Sequence, residues 1–272
     1  MFFLLIVSGG IDLSVGSVVA LTTMISATLA QQHHWNFWQI LPLVLAVGCL
    51  LGLFMGILIQ IFKLQPFIVT LGGMFLARGL CYVISIDSIS ITEPSFTALS
   101  EYRLSLGEET FISTGAMVAV AILLVGIYIA HFTRFGRTVY AIGGNERSAM
   151  LMGLPVSSTK IMVYVLSGFC SSLGGVLVTL YMQSGYGLHA LGMELDAIAA
   201  AVIGGTLLTG GVGYLAGTLV GVLILGVIQT LIAFDGELSS WWTRIGIGAL
   251  LFVFCLMQRM LERSSKKIQA KR

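Results

Sequence analysis

Residues 40–62 read Ile40-Leu-Pro-Leu-Val-Leu-Ala-Val-Gly-Cys-Leu-Leu-Gly-Leu-Phe-Met-Gly-Ile-Leu-Ile-Gln-Ile-Phe62, with no charged side chain anywhere in the run. At about 1.5 Å per residue, a helix of this length crosses a hydrocarbon core of about 30 Å. Comparable runs of about 17–23 residues lie at 14–30, 67–86, 114–131, 161–183, 214–233 and 242–259. Segment 196–210 is also apolar, but as a helix it would cover only about 22 Å, so it reads as a tilted, broken or re-entrant piece. Membrane β-barrels alternate over segments of about ten residues, and no such segments occur. The sequence therefore predicts an all-α polytopic membrane protein with about eight membrane segments.

Composition agrees. Of 272 residues, 57% are hydrophobic and 10% charged, and mean hydropathy is +0.99. A soluble domain carries about 25% charged residues. A soluble enzyme, a disordered chain and a nucleic-acid binder are excluded. Cys49, Cys81, Cys170 and Cys255 lie far apart inside apolar runs and read as small buried filler.

Charge sets the orientation. Loop 87–113 holds Asp87, Glu93, Glu101, Glu108 and Glu109 against Arg103. Loop 132–160 holds Arg134, Arg137, Arg147 and Lys160 against Glu146, and the segment after Phe254 holds Arg259, Arg263, Lys266, Lys267, Lys271 and Arg272 against Glu262. Basic loops stay cytoplasmic, so 132–160, Lys63 and the C-terminus are predicted inside and 87–113 outside. Loops 31–39, 184–195 and 234–241 contain no Lys or Arg and fit the outside. The spans alternate if 196–210 counts as one crossing. Trp35, Trp38, Trp241 and Trp242 flank spans on the predicted outer side, as an aromatic belt does. Met1–Val7 is apolar and stops at Ser8-Gly9-Gly10, with neither a basic n-region nor a cleavage site. It reads as the end of a membrane helix that starts upstream.

A short internal repeat is visible. Gly10-Ile-Asp-Leu13 resembles Glu194-Leu-Asp-Ala197, and Gly52-Leu-Phe-Met-Gly56 resembles Gly217-Thr-Leu-Val-Gly221. The charge argument gives the two halves opposite orientation, the inverted-repeat pattern of transporters. The glycine pairs read as close helix packing.

Among chemical motifs, no P-loop, nucleophile elbow or H-E-x-x-H occurs. His33 and His34 are adjacent and read as surface residues of an outer loop. Gly211-Val-Gly213-Tyr-Leu-Ala216 fits a dinucleotide pattern but joins two membrane segments, so it reads as a turn. Loop 132–160 is the most informative stretch. Asn145 is a good N-cap, Glu146 suits the positive start of a helix, and Gly153 with Pro155 is a stop. They enclose a helix of about two turns, whose Ala149, Met150, Leu151 and Met152 give it an apolar side suited to docking on another protein. Asp12 and Asp196 read first as caps of the helices that follow them, with a proton or cation site as the other reading. Arg78, inside span 67–86, either ties helices together or lines a path.

Ser8-Gly-Gly-Ile-Asp-Leu-Ser-Val-Gly-Ser17 resembles a signature of the permease subunits of bacterial sugar ABC importers of the ribose, galactose and autoinducer type. Arg134-Phe-Gly-Arg137 with Tyr140-Ala-Ile-Gly-Gly-Asn145 resembles their cytoplasmic coupling segment. Glu194-Leu-Asp-Ala-Ile-Ala, Val202-Ile-Gly-Gly-Thr206 and Gly210-Gly-Val-Gly213 resemble their C-terminal half. Asp235-Gly-Glu-Leu-Ser-Ser-Trp-Trp242 is similar to the galactofuranose importer permease.

The resemblance implies a fold of about ten helices in inverted halves, the first of them incomplete here because one full helix and most of a second are missing. On that reading residues 1–113 are the first half, 114–160 a central helix and coupling loop, 161–259 the second half and 260–272 a basic tail. It implies an ABC ATPase subunit docked on Asn145, Glu146, Ala149, Met150 and Gly153, a second permease subunit, a periplasmic sugar-binding protein and a place in the bacterial inner membrane. A sugar path needs weak, wide contacts, so no charged binding cage is expected, and neither a metal, a cofactor nor a catalytic residue. The rival readings are an ion-coupled secondary transporter using Asp12, Asp196 or Arg78, an ABC permease for amino acids or another sugar, and a non-functional fragment.

Overall fold

The computed structural model describes residues 2–105, 111–235 and 240–269; Glu108, Glu109, Lys271 and Arg272, which entered the charge argument, lie outside them. In chain order, α1 is Phe2–Val7, α2 Val15–His33, α3 Phe37–Gln60, α4 Pro66–Ile84, α5 Pro94–Glu101, α6 Thr114–Phe132, α7 Arg134–Gly144, α8 Glu146–Leu151, α9 Val156–Met182, α10 Met193–Ile203, α11 Leu215–Asp235 and α12 Ser240–Gln269. Four short strands, β1 (Ile89–Ser90), β2 (Arg103–Ser105), β3 (Phe111–Ser113) and β4 (Ser184–Gly185), pair antiparallel as β1–β4 and β2–β3.

Among the described residues, six helices are long and apolar enough to cross a membrane: α3, α4, α6, α9, α11 and α12. The two further segments expected from the sequence differ in kind. Helix α2 is long enough, but Ser17, Thr22, Thr23 and Ser26 on it are buried inside the chain. Two of these hydroxyls bond locally, Ser17 to the Ser14 carbonyl at 2.6 Å and Thr23 to the Ala20 carbonyl at 2.8 Å. Small residues whose polar atoms are already satisfied allow a central helix to be packed on all sides. Helix α10 has 11 residues and is too short to cross alone.

Small residues set the helix spacing. A Cβ on Gly52 would run into the Tyr164 carbonyl, and one on Gly168 into the Gly48 carbonyl. The α3–α9 contact, the most extensive in the chain, is therefore made backbone to backbone. Gly56 continues the seam, 3.1 Å from the Ile161 Cα if a Cβ is added. In the same way Gly217 faces Gly204, and Gly221 faces Ala200, drawing α10 and α11 into an antiparallel pair. The two glycine motifs thus pack on non-equivalent partners. Helix α9, placed by the sequence in the second half, packs chiefly on α2 and α3 of the first.

Helix α10 stops at Gly204-Gly205, where Gly205 has φ +86°, a conformation that favours glycine. Carbonyls freed at membrane depth need partners. The Gln258 side-chain amide of α12 donates to Val202 O at 3.2 Å and Thr206 O at 3.3 Å. The 204–214 connection then meets α1 and α7, where Gly211 N–H donates to Val7 O at 2.9 Å and the Tyr140 hydroxyl to Gly213 O at 2.7 Å. Burial pushes that hydroxyl above its ordinary pKa, so it remains a donor. The Gly211–Ala216 pattern is accordingly a turn with no strand before it.

The loops sort into two faces. Thr92 Oγ1 donates to Gln31 Oε1 at 3.0 Å, Phe37 N–H to Ser95 Oγ at 3.0 Å, and β1 pairs β4, so 31–37, 85–101 and 183–185 sit together. Residues 61–65, 132–160 and 204–214 form the other face. Helix α12 remains helical to Gln269, so most of the segment read as a basic tail continues the last helix.

Candidate functional site

The 132–160 segment holds two helices where one was expected. Helix α7 is amphipathic and packs Thr138, Val139 and Ile142 inward. Helix α8 follows at once. The Asn145 side chain accepts from Ser148 N–H at 2.9 Å and caps it, Glu146 Oε2 lies 2.6 Å from Lys160 Nζ on α9, and Gly153 at φ +75° ends it. Ala149 is 0% exposed and packs on Ile142 and Val156. This corrects the expectation that Ala149 belongs to a docking face: on a helix of six residues, its side points at the protein's own core. Met150, Leu151 and Met152 point away, Leu151 being 89% exposed. Asn145, Glu146, Ala149 and Gly153 thus fix the helix, and an apolar tip of three side chains projects from it.

A second cluster surrounds the start of α2. Asp12 is 1% exposed. Its Oδ1 accepts from Ser14 N–H at 2.9 Å and from the Ser14 hydroxyl at 2.5 Å, and its Oδ2 from the Ser167 hydroxyl of α9 at 2.6 Å. The N-cap residue is Ser14, without a side-chain cap bond of its own, so Asp12 secures the helix from two residues before it rather than as the cap. A buried carboxylate is costly unless it is hydrogen-bonded, and three donors meet this one. Glu194 of α10 approaches the same helix start: a Cβ on Gly16 would strike its Oε2, which has no hydrogen-bond partner among the described residues.

Asp196 does not cap α10. The N-cap position is Gly192, and Asp196 lies one turn into the helix. It lines a cleft of about 460 Å³ between α10, α11 and α12, together with Gln229, Thr243 and Arg244. Arg244 also lies over the Trp241 ring at 5.5 Å. Asp196 and Arg244 form no salt bridge with each other, so opposite charges face one cleft and remain open to a polar ligand. Arg244 escaped the sequence reading; a basic residue two positions past Trp242 in the last span was the signal. Arg78 is a tie: its Nη1 donates to Gly187 O at 2.6 Å and His189 O at 3.0 Å, fastening α4 to the loop before α10. Among the described residues no hydrogen bond or ion pair joins Asp12, Asp196 and Arg78 to one another; each has its own surroundings. No group of three or more metal-binding side chains occurs among the described residues.

The chain resembles known proteins along most of its length. It is 50% identical over 94% of its length to "Inner membrane ABC transporter permease protein YjfF" of Escherichia coli K12, covering 77% of that protein. It is 38% identical to "Fructose import permease protein FruG" of Bifidobacterium longum, over 93% of this chain and 76% of that one. It is 36% identical to "Ribose import permease protein RbsC" of Haemophilus influenzae, over 96% and 80% respectively. No solved structure matches. Residues 1–255 match one permease family, and with six apolar helices of spanning length among the described residues the chain is a multi-pass membrane protein that belongs to the family described as Branched-chain amino acid transport system / permease component.

Proposed function

We propose that this chain is the membrane-spanning subunit of an ATP-driven ABC importer for a monosaccharide, galactofuranose or a related sugar, in the bacterial inner membrane. The observation that carries the reading is the α8 tip. Met150, Leu151 and Met152 are exposed on a helix held by a cap and an ion pair, and exposed apolar side chains on an ordered element mark a docking surface. An ATPase subunit seats there, on the cytoplasmic side to which the basic residues of 132–160 and the C-terminus assign that face. A second permease subunit completes the path, and a periplasmic sugar-binding protein delivers the cargo. ATP hydrolysis belongs to the partner, and this chain performs no covalent chemistry.

The sugar reading draws on relatives named for ribose and fructose. The Asp196–Arg244 cleft suits it, since a carboxylate, a guanidinium, the Gln229 amide and the Thr243 hydroxyl can meet hydroxyl groups. The same opposed charges favour a second reading, an amino-acid zwitterion, in line with the family's description. Uptake into proteoliposomes holding the chain, its partner permease and the ATPase separates them. Labelled monosaccharide is expected to enter with internal ATP and external binding protein, undiminished by excess leucine. ATP-dependent uptake of leucine with none of sugar overturns the sugar assignment.

A further inference from the structure

Arg134 and Arg137 stand one turn apart on α7, both exposed. Neither side chain makes an ion pair among the described residues, where the single bridge is Lys160–Glu146. They line a cavity of about 730 Å³ with Phe135, Leu154, Ser158 and Met162. Ser158 and Met162 also line a second groove, of about 540 Å³, with Leu50, Leu53, Ile161 and Val165. The two spaces adjoin at Ser158 and Met162. One end is cationic, and the other runs along the flank of the α3–α9 seam past Leu53 and Leu50. Its level is fixed where the Gln60 amide of α3 donates to Ser157 Oγ at 2.9 Å. No acidic side chain lines either space. Helix α9 has Pro155 at its N-cap position and no side-chain cap, so its first-turn amides add positive potential beside the arginines.

We infer that this is a site for one phospholipid with an anionic headgroup. Its phosphate sits between the two guanidinium groups, which bind phosphate oxygens in bidentate fashion. One acyl chain lies along Leu50, Leu53 and Val165. A soluble anion would use the arginines and leave the groove unfilled; a lipid uses both. Basic pockets at helix ends on the cytoplasmic side are where such headgroups bind. The inference rests on the membrane location and on no choice of cargo.

The test is lipid retention by the purified 272-residue chain in detergent, read by native mass spectrometry with phosphatidylglycerol and phosphatidylcholine of identical acyl chains. Each basic residue near an anionic headgroup is worth about fivefold in binding, so the pair predicts a preference of about 30-fold for phosphatidylglycerol. The double variant R134Q/R137Q should lose that preference and bind phosphatidylcholine as before, and Val165→Trp should weaken both lipids. In the unaltered chain, raising the salt should erode the preference without changing phosphatidylcholine binding, a readout that needs no variant to fold. Equal binding of the two lipids, or a double variant that keeps the preference, overturns the proposal. So does displacement of the lipid by millimolar inorganic phosphate, which marks a soluble-anion site. Loss of ATPase co-purification in the double variant with lipid binding unchanged also overturns it, and assigns the arginines to the partner.

Discussion

Lys160 Nζ of α9 lies 2.6 Å from Glu146 Oε2 of α8, so the helix that carries the exposed Met150–Met152 tip is fastened to the long helix at the centre of the chain. Both groups are partly exposed, and such pairs contribute only about 0.2–1 kcal/mol to stability. The pair therefore acts on orientation. Glu146→Lys is expected to weaken ATPase co-purification several-fold while leaving the melting temperature nearly unchanged, and the swapped pair E146K/K160E is expected to restore it. Failure of the swap to restore binding removes the ion pair from the account.

Asp12 joins the start of α2 to Ser167. Asp12→Asn keeps an acceptor for Ser14 N–H and a group able to bond Ser167, so it is expected to cost about 1 kcal/mol or less. Asp12→Leu leaves buried donors unpaired at about 1–3 kcal/mol each, and is expected to abolish monodisperse protein in size-exclusion chromatography. Uptake by Asp12→Asn should remain dependent on ATP and insensitive to a protonophore. Loss of gradient-driven uptake in this variant would instead favour the ion-coupled rival.

Gly52 and Gly226 make a controlled pair. A Cβ on Gly52 collides with the Tyr164 backbone, whereas one on Gly226 meets nothing within 4 Å. Gly52→Ala is expected to destabilise by about 1–3 kcal/mol through overpacking. Gly226→Ala is expected to be neutral or stabilising by up to about 1 kcal/mol. Thermal melts in detergent compare the two directly.

Asp196 and Arg244 face the cleft without bonding each other. If cargo uses them, D196N and R244Q each raise KM for uptake by about tenfold, the worth of a hydrogen bond to a charged group, while the ATPase still co-purifies. Unchanged KM in both variants removes the cleft from the path.

The apolar runs made the long helices legible, because a bilayer imposes a length that no other environment requires. The α8 boundaries were legible as well, since Asn145 and Gly153 act locally. What the sequence hid depends on tertiary direction. Ala149 sits among apolar neighbours in the sequence, and only the fold turns it inward while Leu151 turns outward. Asp196 follows a glycine-containing turn like a cap, yet the helix begins earlier, at Met193, with Gly192 in the N-cap position. The partners of Arg78 are carbonyls more than 100 residues away, and no local pattern announces backbone acceptors. Arg244 was hidden by the apolar run around it.

If the α8 tip seats an ATPase, Leu151 is the side chain to change, because it is 89% exposed and its loss leaves the core intact. The tagged chain would be co-expressed with a candidate partner ABC ATPase, purified in detergent, and compared with Leu151→Asp and Ala149→Glu. The ATPase is expected to co-purify with the unaltered chain, Leu151→Asp to lose it while keeping the parental melting temperature, and Ala149→Glu to lower the melting temperature itself. Co-purification undiminished by Leu151→Asp means that the ATPase docks elsewhere.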